Sequence, residues 1–371
     1  MKNKIHKYDF LIIGGGLIGT LTGLALYKKK FKVLVIEKNK QLPTDKRTLA
    51  VNANSKDFLD SLNLWKDLNR EAIEQIVIQD QINQSHLDFE NKKEPMGYVV
   101  FNKELMINAR QQLNKNHILI EGVTLDIENL QEGNTVKIKD KTYLFNKIIL
   151  SVGRNFKLTT KIKKNEFHSN HQSFVGFFTH EKYHQNKAYE FFTKQGPLAV
   201  LPIPSKNKKT STFIYSTKDS VNKIQIKNLI NKFFKNSHGK IKLSSDVYSF
   251  SIKPHMSSSR DQQFLLLGDS LRSIHPVAGQ GWNLGIKDIQ TLCRTLDQYS
   301  LSDKNFSFIF HSKRKIESIS YLSFTNLINY LYEKDSVYHK QIIRLGFQGL
   351  RLIKPLKKAF ISQAMGRSNL I

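Results

Sequence analysis

Residues 9 to 37 read DFLIIGGGLIGTLTGLALYKKKFKVLVIE. The apolar run Phe10, Leu11, Ile12, Ile13 stops at three consecutive glycines, and a second apolar run, Val33 to Ile36, ends at Glu37. The spacing predicts strand, tight turn, helix, strand. Gly14, Gly16 and Gly19 occupy the G-x-G-x-x-G positions, with Gly15, Leu17 and Ile18 between them. The first glycine permits the turn, the second admits a pyrophosphate close to the backbone, and the third allows helix to pack on strand. An anion belongs at such a helix start because unpaired N–H groups and the helix dipole both favour it. Glu37 stands at about the ~20-residue separation expected of the acid that accepts hydrogen bonds from a ribose. Lys38 follows it.

A chain of 371 residues can bury a large core and suggests about two domains. Phe10 to Tyr27 follows a basic start, MKNKIHK, but its glycine cluster suits a phosphate turn and no small-residue cleavage site is evident. The expectation is a chain that keeps its N-terminus and stays inside the cell. One cysteine, Cys293, excludes an internal disulfide and a thiol-rich metal site. The formal net charge of +27 asks for an anionic partner: cofactor, membrane surface or nucleic acid. Lysine and asparagine are spread through nearly every loop, and no aromatic-interleaved basic motif is present, which speaks against nucleic acid.

Beyond Glu37, Arg47 precedes a stretch of helical spacing, Asn54 to Leu68, and is placed to reach phosphate or ribityl oxygens. Residues 73 to 90 alternate as strands. Gly97 to Asn102 begins a return, followed by a helix from Lys103 to Leu113. Lys147 to Ser151 reads as a buried strand, and Gly196 to Pro202 pairs with Thr212 to Ser216. Val221 to Phe234 reads as a helix. The second informative stretch is FLLLGDSLRSIHPVAGQGWNLGIKDIQTL, 264 to 292. Phe264 to Leu267 predicts a central strand delivering Gly268 and Asp269 at its C-terminal end, where ligands of such sheets collect. A glycine-bearing loop then runs into a helix starting near Gly281. Gly268, Gly279, Gly281 and Gly285 with an acid between exceed what an ordinary connection needs.

With these residues in view, the chain resembles the single-component flavin aromatic hydroxylases of the para-hydroxybenzoate hydroxylase fold, and within them the ubiquinone-biosynthesis hydroxylases of the 2-polyprenyl-6-methoxyphenol hydroxylase group. The matching pieces are GGGLIG with Glu37, KRTLAV at 46 to 51, GYVVFN at 97 to 102, GPLAVLP at 196 to 202, the segment from Gly268 to Asp288, and QAMG at 363 to 366. The resemblance implies a mixed α/β fold: a Rossmann-like FAD-binding domain from 1–75, 95–155 and 255–300, an interleaved β-sheet substrate domain from 76–94 and 156–254, and a C-terminal helical segment, 301–371. It implies FAD held by Gly14, Gly15, Gly16, Leu17, Ile18, Gly19, Glu37, Lys38, Arg47, Gly268, Asp269, Pro276, Gly279, Gln280, Gly281, Trp282 and Asn283. His275 and Pro276 would form the flavin-edge loop beside the chemistry. NADH or NADPH would act as transient reductant, and O2 would be activated as a C4a-hydroperoxyflavin to hydroxylate a polyprenyl phenol. No metal is expected.

One departure bears on mechanism. The family carries an Asp-Gly motif, roughly A-D-G-x-x-S, after the strand that ends here at Ser151, whereas this chain reads Ser151-Val152-Gly153-Arg154-Asn155-Phe156. The missing acid puts flavin reduction in question more than FAD binding and suggests, as one alternative, an impaired flavoprotein scaffold of a quinone-synthesis assembly; a flavin reductase or dehydrogenase without oxygen insertion is a separate alternative. His184 aligns with a family histidine and is read as a surface or strand-edge residue. Residues after Ile342 mix large apolar side chains with Arg344, Arg351, Lys354, Lys357 and Lys358 and contain no acid up to Ile361. That composition suits helices lying on an anionic membrane. The expectation is a cytoplasmic protein held peripherally at the inner membrane.

Overall fold

The computed structural model describes residues 5–42, 47–125, 135–138, 141–154, 162–167, 169–259, 261–275, 280–334 and 336–367. The apolar run after Asp9 ends the strand Ile5–Ile13, the middle of a sheet ordered Phe264–Leu266, Lys141–Leu150, Ile5–Ile13, Val33–Glu37, Leu119–Glu121. These neighbours pair in parallel, and Thr135–Ile138 adds an antiparallel edge. Parallel strands covered on both faces read as unbroken apolar runs. Accordingly Phe10, Ile12, Val33, Val35 and Ile149 pack into one buried cluster, while Leu11, Ile13, Leu34, Ile36 and Ile148 pack into the opposite one.

Helix α1 (Leu17–Lys28) follows the glycine turn, α2 (Ala53–Ser61) follows the strand Thr48–Asn52, and α3 (Asn102–Lys115) follows Gly97–Phe101. Asn52 caps α2 by accepting from the Ser55 N–H at 2.9 Å. The helix expected to run to Leu68 stops at Ser61. Asn63 adopts φ 56°, a left-handed turn that no helix continues through, yet Leu62, Leu64, Trp65 and Leu68 are still buried.

The mainly antiparallel second sheet runs Ile241–Leu243, Gln172–His180, Thr210–Thr217, Gly196–Pro202, Lys187–Thr193, Gln75–Asp80, Ser85–Glu90, with Tyr248–Ser251 also on Gln172–His180. The anticipated pairing of Gly196–Pro202 with Thr210–Thr217 is present. Helix α4 (Lys223–His238) begins with a capping box between Asn222 and Gln225 and buries Ile226, Ile230 and Phe234 against this sheet.

Phe264–Leu266 lies at the edge of the parallel sheet rather than inside it. Its side chains are nevertheless buried, because α5 (Gln280–Gln298) and α6 (Phe306–Glu333) close over this side. Phe306 and Phe310 of α6 join the cluster that holds Leu265. An apolar run reports burial on two faces and not the number of strand partners. Helices α7 (Val337–Leu352) and α8 (Lys354–Ala364) return to the second sheet, where Phe347, Phe360 and Ile361 pack near Phe89 and Met365.

Candidate functional site

Gly14 turns the chain with φ 103°, and an added Cβ would sit 2.5 Å from the Ser151 carbonyl oxygen. At Gly19 the added carbon would lie 1.9 Å from the Gly14 oxygen, so α1 approaches the turn as closely as backbone allows. Ser151 Oγ donates to the Gly14 oxygen at 2.7 Å. Gly16 differs: nothing lies within 4 Å of its would-be Cβ, and no side chain caps α1. The helix start is therefore open, with unpaired N–H groups facing free space.

Glu37 ends Val33–Glu37 with one carboxylate oxygen accepting from the Gly15 N–H at 2.8 Å and the other from the Asn39 N–H at 2.9 Å. A carboxylate has further lone pairs to offer a ribose. Arg110, on α3, was not foreseen. It donates to the Gly15 oxygen at 2.9 Å and to Glu121 at 2.9 Å, and stands 3.8 Å from Glu37. Nothing in its local sequence marks it.

The second turn approaches from Phe264–Leu266. Gly268 adopts φ 59° and donates its N–H to Asp288 at 2.9 Å. Gly285 on α5 touches Ile18 and Gly268, which brings the two glycine-bearing turns together. Asp269 is open to the space between them but otherwise enclosed by protein. That enclosure pushes its carboxyl above the usual range, against the pull of Arg154, His255, Arg272 and Arg47.

One cavity of about 1120 Å³ joins these parts. Of the residues expected to hold a cofactor, Gly14, Gly16, Leu17, Ile18, Glu37, Lys38, Arg47, Gly268, Asp269, Gly281 and Trp282 line it. Gly15 and Gly19 stand behind the wall as structural members. Gln280 starts α5 but does not line the space, and Asn283 is turned away from it. Asn283 Oδ1 accepts from the Asn52 N–H at 3.1 Å and its amide donates to the Ala50 oxygen at 2.9 Å, strapping Thr48–Asn52 to α5. Pro276 and Gly279 lie outside the described residues, as do Asn155 and Phe156. Lining residues missed from sequence are Ser151, Arg154, Asn102 and Met106; the second sheet and its margin add an apolar wall of Val175, Leu201, Ile214, Phe250 and Ile252. The position of Arg154 just past Val152-Gly153 was the available signal for it.

His275 does not line the cavity, although its neighbour Ile274 does. It is buried, its ring packs edge-on against His171 at 5.0 Å, and among the described residues neither ring nitrogen has a hydrogen-bond partner. Burial, then the field of His171, pushes its pKa down to about 3, so it is neutral and stands behind the loop. His184, expected at the surface or a strand edge, is 1% exposed. It packs with His180 and His238 at one end of the second sheet.

The residues present fit an extended dinucleotide. An uncapped helix start with open space at Gly16 takes a pyrophosphate, Glu37 faces the ribose end, Asp269 offers an acceptor to a polyol, and the N-terminal part of α5 faces the far end.

Residues 7–138 and 159–300 match the family described as FAD binding domain. The chain is similar to the ubiquinone hydroxylase UbiL of Rhodospirillum rubrum, with 23% identity over 96% of this chain and 89% of that protein. It is 22% identical to the mitochondrial ubiquinone biosynthesis monooxygenase COQ6 of Drosophila melanogaster, over 98% of this chain and 90% of that one. Among solved structures, p-nitrophenol 4-monooxygenase PnpA from Pseudomonas putida DLL-E4 superposes with a TM-score of 0.75 at 13% identity, covering 99% of this chain and 100% of that chain.

Proposed function

The chain belongs to the FAD binding domain family, and on that premise we propose that it is an FAD-dependent monooxygenase that hydroxylates the ring of a polyprenyl-phenol precursor in ubiquinone biosynthesis, with NADH or NADPH as reductant. The observation that carries this reading is the continuity of the cavity, which runs from Gly16 and Glu37 to an apolar wall on the second sheet. One end suits a dinucleotide and the other a greasy aromatic ring. The full-length similarity to ubiquinone hydroxylases supports the substrate class.

Bound FAD supplies the oxygen activation; the chain supplies position, charge and dryness. In this reading Glu37 accepts hydrogen bonds from the ribose, and the first N–H groups of α1 hold the pyrophosphate. Arg47 adds a cation, and Asp269 accepts from the ribityl chain. The start of α5 presents its dipole to the ring, and Trp282 with the apolar wall excludes water. The segments 1–75, 95–155 and 255–300 act as the cofactor-binding part and 76–94 and 156–254 as the substrate part.

The test is incubation of the FAD-loaded protein with a short-chain prenyl phenol, NAD(P)H and labelled O2. Incorporation of one labelled oxygen into the ring is the expected result. Redox turnover without label would favour a reductase. Failure of both nucleotides to bleach the flavin would favour a scaffold in a quinone-synthesis assembly, the reading that Val152 at the Asp position invites.

Peripheral attachment to the cytoplasmic face of a membrane is part of the same proposal. Among the described residues no helix is long and apolar enough to cross one. On α7, Tyr338, Ile342, Leu345 and Leu352 are exposed at helical spacing, and Leu356 on α8 is exposed as well. Neither helix contains an acid. Exposed apolar residues beside cations suit an anionic lipid surface, from which a polyprenyl substrate would be drawn. Cosedimentation with anionic vesicles checks this, and equal recovery in the supernatant with or without vesicles would reject it.

A further inference from the structure

Arg154 is a cation on the cavity wall whose nearest partners are neutral. Its guanidinium carbon lies 5.1 Å from the centre of the Phe250 ring, and its Nη1 donates to the Ser251 oxygen at 3.5 Å. Among the described residues no carboxylate comes within ion-pair distance of it, whereas Arg110, Arg272, Arg314 and Arg367 each meet one. The charged groups near it are Asp269, on whose carboxyl it exerts the strongest attraction, and Lys164, which donates to the Arg154 carbonyl oxygen at 3.1 Å and pairs with Glu166.

Its location is set by the first glycine turn. The Gly14 turn abuts Val152, where an added Cβ would meet the Val152 Cα at 3.0 Å, and Arg154 stands two residues further on, against Phe250 and Ser251. Phe250 and Ser251 belong to the strand region beside Val175, Leu201, Ile214 and Ile252. The charge of Arg154 thus stands where the apolar wall begins, with the Asp269 carboxylate within its field, and a neutral hydrocarbon would gain nothing from it. A phenol is different. Ionising its hydroxyl pushes electron density into the ring, which is what an electrophilic hydroxylation needs, and a cation in a low-dielectric chamber favours the ionised form. A charged donor to an oxyanion also makes a stronger hydrogen bond than a neutral pair.

We propose that Arg154 is the substrate-orienting cation, donating to the ionised ring oxygen of the phenol and holding it against the wall at Phe250. The assignment rests on the reading of the cavity as an FAD and phenol site. It gives Arg154 a role at the position just beyond Val152, where this chain departs from the motif of the hydroxylases it resembles.

The probe is p-nitrophenol, whose anion is coloured, titrated into the FAD-loaded protein across pH. The wild type should bind the anion and shift its apparent ionisation towards acid. Arg154→Gln should abolish that shift and weaken anion binding about tenfold or more, the loss expected for one charge-assisted hydrogen bond. Arg154→Lys should recover most of the ionisation shift, since it restores the charge without the planar fork. FAD affinity, followed in parallel by flavin fluorescence, should fall less than p-nitrophenolate affinity in both variants, since towards the cofactor Arg154 contributes a field at Asp269 rather than a hydrogen bond. An Arg154→Gln titration matching the wild type overturns the assignment. So does a wild type that binds FAD but no p-nitrophenolate, or a variant that loses FAD with phenol ionisation unchanged. A wild type that takes up no FAD sinks the cavity reading itself, a distinguishable failure.

Discussion

The carboxylate of Asp288, fully buried on α5, accepts from the Gly268 N–H at 2.9 Å and at the same time from Arg272 at 2.9 Å and Arg314 at 2.6 Å. One acid therefore ties the second glycine turn, a short strand and α6 to the helix that ends the cavity. Removing one member of a buried ion group leaves the others charged and unpaired, at a cost of about 3–5 kcal/mol. Asp288→Asn is expected to lower the unfolding free energy by roughly that amount in urea and to weaken FAD binding through the displaced Gly268. An unchanged urea midpoint would show that the two arginines find other partners.

Gly16 and Gly19 do different work, and alanine separates them. At Gly19 a methyl group would overlap the Gly14 oxygen, so Gly19→Ala should disrupt the turn and yield little folded protein. At Gly16 the methyl meets no protein atom. Gly16→Ala should therefore keep the wild-type melting temperature without ligand while weakening FAD binding by about tenfold or more, because the methyl stands where a pyrophosphate would approach. Calorimetry on the flavin-free protein and a fluorescence titration with FAD give the two readouts. A Gly16→Ala protein with normal FAD affinity would place the pyrophosphate elsewhere.

What could be read from sequence was what neighbours in the chain decide together. Gly14, Gly16, Gly19 and Glu37 belong to one strand, turn, helix and strand, so their spacing fixes their geometry. Arg110 reaches the back of the Gly15 turn and Arg154 reaches the cavity, each from a segment whose local pattern is unremarkable, and only tertiary packing delivers them. The apolar wall illustrates the same limit: Leu201 and Ile214 belong to stretches that read as paired strands, but which face meets the cofactor part depends on the order of strands across the second sheet. At α2 the apolar spacing persisted past Asn63, since buried residues continue there after the helix has ended. His275, expected at the flavin edge, packs against His171 and does not line the cavity.

The histidine trio gives the second sheet an acid sensitivity. His184 and His238 are buried, and enclosure, with the fields of nearby imidazoles and lysines, pushes each pKa down to about 4. Unfolded histidine ionises near ~6.5. Between those values the unfolded chain binds more protons than the native one, so stability is full above about pH 6.5 and declines as pH falls towards 4. Each of the two residues contributes a slope of about 1.4 kcal/mol per pH unit in that window. Urea unfolding at pH 7, 6 and 5 should show the decline, and His238→Phe should lessen its slope by about 1.4 kcal/mol per pH unit, leaving the shares of His184 and of the other buried histidines, His275 and His311. The same slope in that variant would put the acid sensitivity elsewhere.

Asn283 separates a cofactor contact from a strap. Its side chain accepts from the Asn52 N–H and donates to the Ala50 oxygen, closing two backbone groups of the strand that follows Arg47. Asn283→Ala would leave both groups without these partners, and buried polar groups that lose a hydrogen bond cost about 1–3 kcal/mol each. The flavin-free protein should therefore lose stability, with FAD affinity falling only as the strand bearing the cavity residues Thr48, Leu49 and Ala50 loosens. Asn283→Asp keeps the acceptor for Asn52 but removes the donor to Ala50, so it should recover part of the stability. If instead Asn283→Ala leaves the flavin-free protein as stable as the wild type and affects only FAD binding, Asn283 is a ligand to the cofactor and the strap has no energetic weight.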